Sequence, residues 1–71
     1  MAFTVIHDTN TSGTFATSMS SQTTYKNALD KLYEMAKTDL GNVNVSYSMV
    51  KIQNQEGFIL KVEQCKPLII D

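Results

Sequence analysis

Ser20–Gly41 reads SSQTTYKNALDKLYEMAKTDLG, and its periodicity decides the fold. Tyr25, Ala28, Leu29, Leu32, Ala36 and Leu40 fall at i, i+3, i+4, i+7, i+11 and i+15, which is one continuous helical face. Lys26, Asn27, Asp30, Lys31, Glu34 and Lys37 occupy the solvent side, with Tyr33 and Met35 on the flanks. Ser20 or Ser21 is placed to cap the first turn, Lys37 lies near the last, and Gly41 supplies the stop. An amphipathic helix must bury its apolar stripe against another element. Both flanks of this segment read as strands.

On the N-terminal side, Phe3, Val5 and His7 alternate with Thr4 and Ile6, a β-branched stretch of period two. Asp8–Gly13 is a turn cluster, and Phe15, Thr17 and Met19 then alternate with Thr14, Ala16 and Ser18, which predicts an N-terminal hairpin. Past Gly41 the period returns to two. Val43, Val45, Tyr47 and Met49 share one phase, and Val50 and Ile52 fall in the other. Either both faces are partly buried or a bulge shifts the register near Met49. Asn54–Gly57 reads as a hairpin turn with glycine in the left-handed position. Phe58, Leu60 and Val62 alternate with Ile59, Lys61 and Glu63 towards Cys65, and Leu68-Ile69-Ile70 after Pro67 predicts a short edge strand.

The outline is β-β-α-β-β, extended by the short edge strand expected at Leu68–Ile70. It predicts an α+β fold of two layers, one amphipathic helix on an antiparallel sheet, as a single domain over residues 1–71. Phe3, Phe15, Tyr47 and Phe58 are expected to fill a core that is thin at this length. The other face of the sheet then has no cover. Val50, Ile52 and Ile59, with Ile6 and Cys65, are placed to reach it, and Leu68 and Ile69 extend it along the edge. Exposed apolar patches of this kind mark contact surfaces.

Composition narrows the chemistry. There is one cysteine and one histidine, so no disulfide forms within the chain, and a closed zinc site lacks N and S ligands; neither metal nor cofactor is expected. His7 and Cys65 are the sole candidates for a thiolate–imidazole couple, which would also need an orienting group and an oxyanion site. Asp30 and Glu34 share a helix face but stand among Lys26, Lys31 and Lys37, the pattern of a solvated ion-pair surface. The three glycines are isolated turn residues and form no phosphate loop. An enzyme is therefore not expected. All six basic residues are lysines and the net charge is −1, which removes the arginine fork used to read guanine and gives little steering towards a polyanion. No apolar run approaches a membrane span, and the N-terminus lacks the basic and apolar regions of a signal peptide. The expected location is a reducing cytoplasm.

The small chain, its N-terminal hairpin, the Tyr25–Leu40 helix and the closing Val43–Cys65 hairpin resemble the small host-takeover proteins of phages and mobile elements, anti-CRISPR inhibitors among them. The resemblance implies a non-enzymatic protein that binds a larger host protein or complex and blocks it sterically, in the host cytoplasm if the gene is phage-borne. With so mild a charge, inhibition would work through shape and apolar contacts. The residues expected to carry association, including formation of a homodimer, are Val50, Ile52, Ile59, Leu68 and Ile69, with Tyr33 and Lys37 as weaker partner contacts. Two other readings stay open. One is a single-stranded nucleic-acid binder using sheet aromatics with Lys51, Lys61 and Lys66. The other is a homo-oligomeric structural or virion-associated protein.

Overall fold

The computed structural model of the chain describes residues 2–66. The element order is β1 (Phe3–Thr11), β2 (Thr14–Gln22), α1 (Tyr25–Leu40), β3 (Val45–Gln53) and β4 (Ile59–Lys66). The strands form one antiparallel sheet in the order β2-β1-β3-β4, and α1 carries the chain from the β2 edge across to β3. This is the expected β-β-α-β-β arrangement in two layers. The expected last strand, Leu68–Ile70, lies outside the described residues.

The turn between β1 and β2 is tighter than the Asp8–Gly13 cluster predicts. Asp8–Thr11 stay in strand because β1 is paired on both sides, with β2 and with β3. Only Ser12 and Gly13 turn, both at positive φ (52° and 85°), the two-residue hairpin whose twist matches the flanking strands. Gly57 closes the second hairpin at φ 95°, as expected. The helix begins later than the serines suggested. Ser20 and Ser21 remain in β2, paired with Val5 and Thr4, and Thr24 is the N-cap, its hydroxyl accepting from Asn27 N. Gly41 ends the helix with its N–H donating to Lys37 O, in a right-handed rather than left-handed conformation.

Helix and sheet meet over Val5, Ala28, Leu32, Ala36, Val50, Ile52 and Cys65, with Phe3, Leu29 and Met35 packed around them. Phe3 meets Tyr25 edge to face at 5.8 Å. Val50 and Ile52 are fully buried beneath the helix, so their expected place on the uncovered face is corrected. The reason is register. Val5 pairs with Ile52 and His7 with Val50, so placing Val5 in the core places its two neighbours there as well. The bulge that shifts the phase of β3 lies at Ser46 rather than near Met49 and lets Val45 be buried as well; opposite Met49 the extra residue, Cys65, belongs to β4. Of the aromatics expected inside, Phe15 and Phe58 are exposed and Tyr47 lies on the far side from the helix. Cys65, expected to reach the open face, is in the core.

Candidate functional site

Two places in this fold collect side chains with something to do: a buried polar cluster between α1 and the sheet, and the face of the sheet that no helix covers.

The polar cluster gathers around Asp39, a buried carboxylate near the C-terminal end of α1. That end of a helix disfavours negative charge, so the carboxylate needs donors. His7 supplies one from Nε2 to Oδ2 at 2.7 Å, and the Ser48 hydroxyl donates to the same oxygen. Cys65 stands beside Ser48. Burial pushes its thiol pKa up, the Ser48 hydrogen bond opposes this, and the charges of Asp39 and Glu63 add to the rise. His7 and Cys65 do not meet: His7 bonds Asp39, and the Cys65 thiol donates to Glu63 O at 3.9 Å. Ser48 bonds the carboxylate and not the imidazole, and the thiol is held in its protonated form. This arrangement satisfies a buried charge; no buried side-chain N or O among the described residues lacks a partner. Sequence reasoning missed both Asp39 and Ser48. The available signal was a carboxylate four residues past Met35, just beyond the apolar stripe, where only a partner on the sheet could compensate it.

The uncovered face is built from one residue in two along each strand. Phe15, Thr17 and Met19 of β2 stand beside Asn10, Asp8 and Ile6 of β1, which in turn face Tyr47, Met49 and Lys51 of β3. Val62 and Ile59 of β4 complete it next to Lys51 and Gln53. Phe15 is 76% exposed, Met19 70%, Val62 49% and Ile59 48%. The centre is polar and internally matched: Thr17 Oγ1 donates to Asp8 at 2.7 Å, and Lys51 pairs with Asp8 at 3.6 Å. Apolar side chains therefore flank a neutralised centre, and the strongest of them stand at the two ends of the strand order.

The structure divides the residues expected to mediate association. Ile59 is on the open face, Val50 and Ile52 are under the helix, and Leu68 and Ile69 lie outside the described residues. Tyr33 and Lys37 are exposed on α1, in the other layer, where the Lys61 ammonium lies 5.8 Å from the Tyr33 ring centre. The three lysines considered for nucleic acid are all engaged. Lys51 pairs with Asp8, Lys61 rests on Tyr33, and Lys66 Nζ donates to Asn42 O at 2.6 Å and Val45 O at 3.1 Å.

A small cleft of about 190 Å³ opens beside Ala2, Phe3, Asn54, Gln55, Glu56 and Leu60. That is below the roughly 300–1,000 Å³ of small-molecule sites, and Glu56 is its one titratable side chain. Among the described residues no three His, Cys, Asp or Glu side chains come together as a metal site, and no helix is long and apolar enough to cross a membrane. No family model, no curated protein and no solved structure matches this chain.

Proposed function

We propose that this chain is a non-enzymatic protein-binding module that inhibits or modulates a larger protein, of the host-directed kind its sequence resembles, and that it binds through the open face of its sheet. The observation that carries this reading is the placement of Phe15, Met19, Ile59 and Val62 outside the core of a chain too small to waste large side chains. The protein has larger apolar groups on its uncovered face than several it buries. A face with apolar flanks and a charge-neutral centre suits an apolar partner surface rather than a strongly charged one.

The test is affinity capture from nuclease-treated lysate with tagged protein, comparing the natural chain with Ile59→Lys and Val62→Lys. Both positions are exposed on the open face, so the helical circular dichroism should survive. One large protein retained by the natural chain and lost from both variants is the expected result. Equal retention by all three chains would place the binding surface elsewhere.

A second reading has one observation in its favour. Phe15 and Tyr47 flank Asn10 in a single row across three strands, a spacing that permits base stacking. It requires oligonucleotide binding that weakens steeply with salt. The prior engagement of Lys51, Lys61 and Lys66 makes it the weaker account.

A further inference from the structure

The two outer strands of the sheet are built differently. β4 carries Lys61, Glu63 and Lys66, and its pairing with β3 is broken twice. Charge and bulges are the usual means of keeping an edge from recruiting another strand. β2 has neither. Thr14–Gln22 contains no charged residue and no proline, and it pairs with β1 through nine consecutive residues without a shift. Its outer side has no neighbouring strand among the described residues.

The hairpin fixes which groups that side presents. In a two-residue hairpin the closing pair, here Thr11 and Thr14, exchanges both backbone hydrogen bonds, and the alternation continues along the ladder. The N–H and C=O groups of Phe15, Thr17, Met19 and Ser21 therefore point outwards. The same stretch is chemically palindromic. Thr14-Phe15-Ala16-Thr17-Ser18-Met19-Ser20 runs hydroxyl, large apolar, small, threonine, small, large apolar, hydroxyl from either end. Self-complementarity about a point is what a two-fold symmetric contact demands of one strand.

We propose that the outer edge of β2 binds a second copy of this chain, antiparallel, about a two-fold axis at Thr17. In that register the outward backbone groups of both strands meet. Phe15 of each copy then lies opposite Met19 of the other, two sulfur–aromatic contacts on the open face. Moving the axis to Ser18 also pairs the backbone, but it sets Phe15 opposite Ser21 and Met19 opposite Thr17 and loses both contacts. On the helix side the seam meets only Thr14, Ala16, Ser18 and Ser20, which are small and uncharged. The product is an eight-stranded sheet with both helices on one side and a single continuous open face on the other. This assembly needs no other partner, so it stands or falls apart from the binding function proposed above.

Sedimentation equilibrium of the purified chain over a dilution series should give twice the monomer mass at high concentration, falling towards one on dilution. Thr17→Pro removes the N–H that faces out at the axis and leaves the β1 ladder complete. It should raise the dissociation constant by about tenfold or more, as the loss of two central hydrogen bonds implies, with helical circular dichroism unchanged. Phe15→Lys and Met19→Glu read the register: each alone should weaken the dimer, and together in one chain they should restore it, because each introduced lysine faces an introduced glutamate. If Thr17→Pro disturbs folding, the charge pair decides. A natural chain that is monomeric throughout, a dimer indifferent to these changes, or a double variant no tighter than the singles would overturn the proposal.

Discussion

The two faces of this sheet hold nearly the same kinds of side chain and treat them in opposite ways. Under the helix lie Val5, Val50 and Ile52, fully buried against Ala28, Leu32 and Ala36. On the open side stand Phe15, Met19, Ile59 and Val62, each about half exposed or more. The covered face uses β-branched residues against a helix surface rich in alanine, which lets the two layers approach closely. The bulkier and more adaptable side chains are left outside. A thin core would gain from those groups, and their place outside it is what the proposed binding role rests on.

The sharpest way to break this comparison is to cut the covered face. Leu32 is the largest fully buried side chain and touches the sheet at the middle of the helix. We predict that Leu32→Ala lowers unfolding free energy by about 2–5 kcal/mol, the cost of lost burial plus the cavity left behind. Urea denaturation at one fixed protein concentration measures it. A loss under about 1 kcal/mol would mean that the helix is held by something other than this core.

The polar end of the covered face gives the next largest effect. Asp39→Ala removes the acceptor shared by His7 and Ser48 and leaves a buried hydroxyl and a half-buried ring without their partner. The expected loss is about 1–3 kcal/mol, the desolvation penalty of unpaired polar groups. Ser48→Ala should cost less, because Asp39 keeps His7. Should Asp39→Ala prove neutral in the same denaturation assay, the cluster has no part in stability.

How much of this was legible beforehand follows from where each signal lives. The helix stop at Gly41 agrees with the structure, whereas its start is Thr24 rather than Ser20 or Ser21, which the β1 ladder holds in β2. The helix itself was readable because an apolar stripe of period 3.6 is a local property. Strand existence was readable for the same reason. Which face of β3 turned inward was not, because Tyr47 and Met49 are as apolar as Val50 and Ile52, and only pairing with Val5 and His7 chooses between them. The open face is expected as a surface; Ile59 and Ile6 lie on it, Val50, Ile52 and Cys65 lie under the helix, and Leu68 and Ile69 fall outside the described residues. Phe15, one of its main members, is expected in the core on size alone, yet it stands on the open face. Asp39 and Ser48 escaped notice because their meaning depends on a contact across nine residues of sequence and two layers of structure.

The smallest effect is also the cleanest discriminator between the faces. Val50 on β3 and Val62 on β4 are the same residue on neighbouring strands, one fully buried and one half exposed on the opposite side. Valine to threonine keeps the shape and the β preference, and exchanges one methyl for a hydroxyl. At Val50 that hydroxyl enters an apolar core, and we predict a loss of about 1–3 kcal/mol. At Val62 it faces water, so the change in stability should stay within about 0.5 kcal/mol. The two variants therefore separate packing from exposure without a change of volume. Equal losses would show that Val62 is covered in solution, and dilution would then tell whether a second copy covers it. A Val62→Thr chain that is stable but binds its partner more weakly would tie the open face to recognition alone.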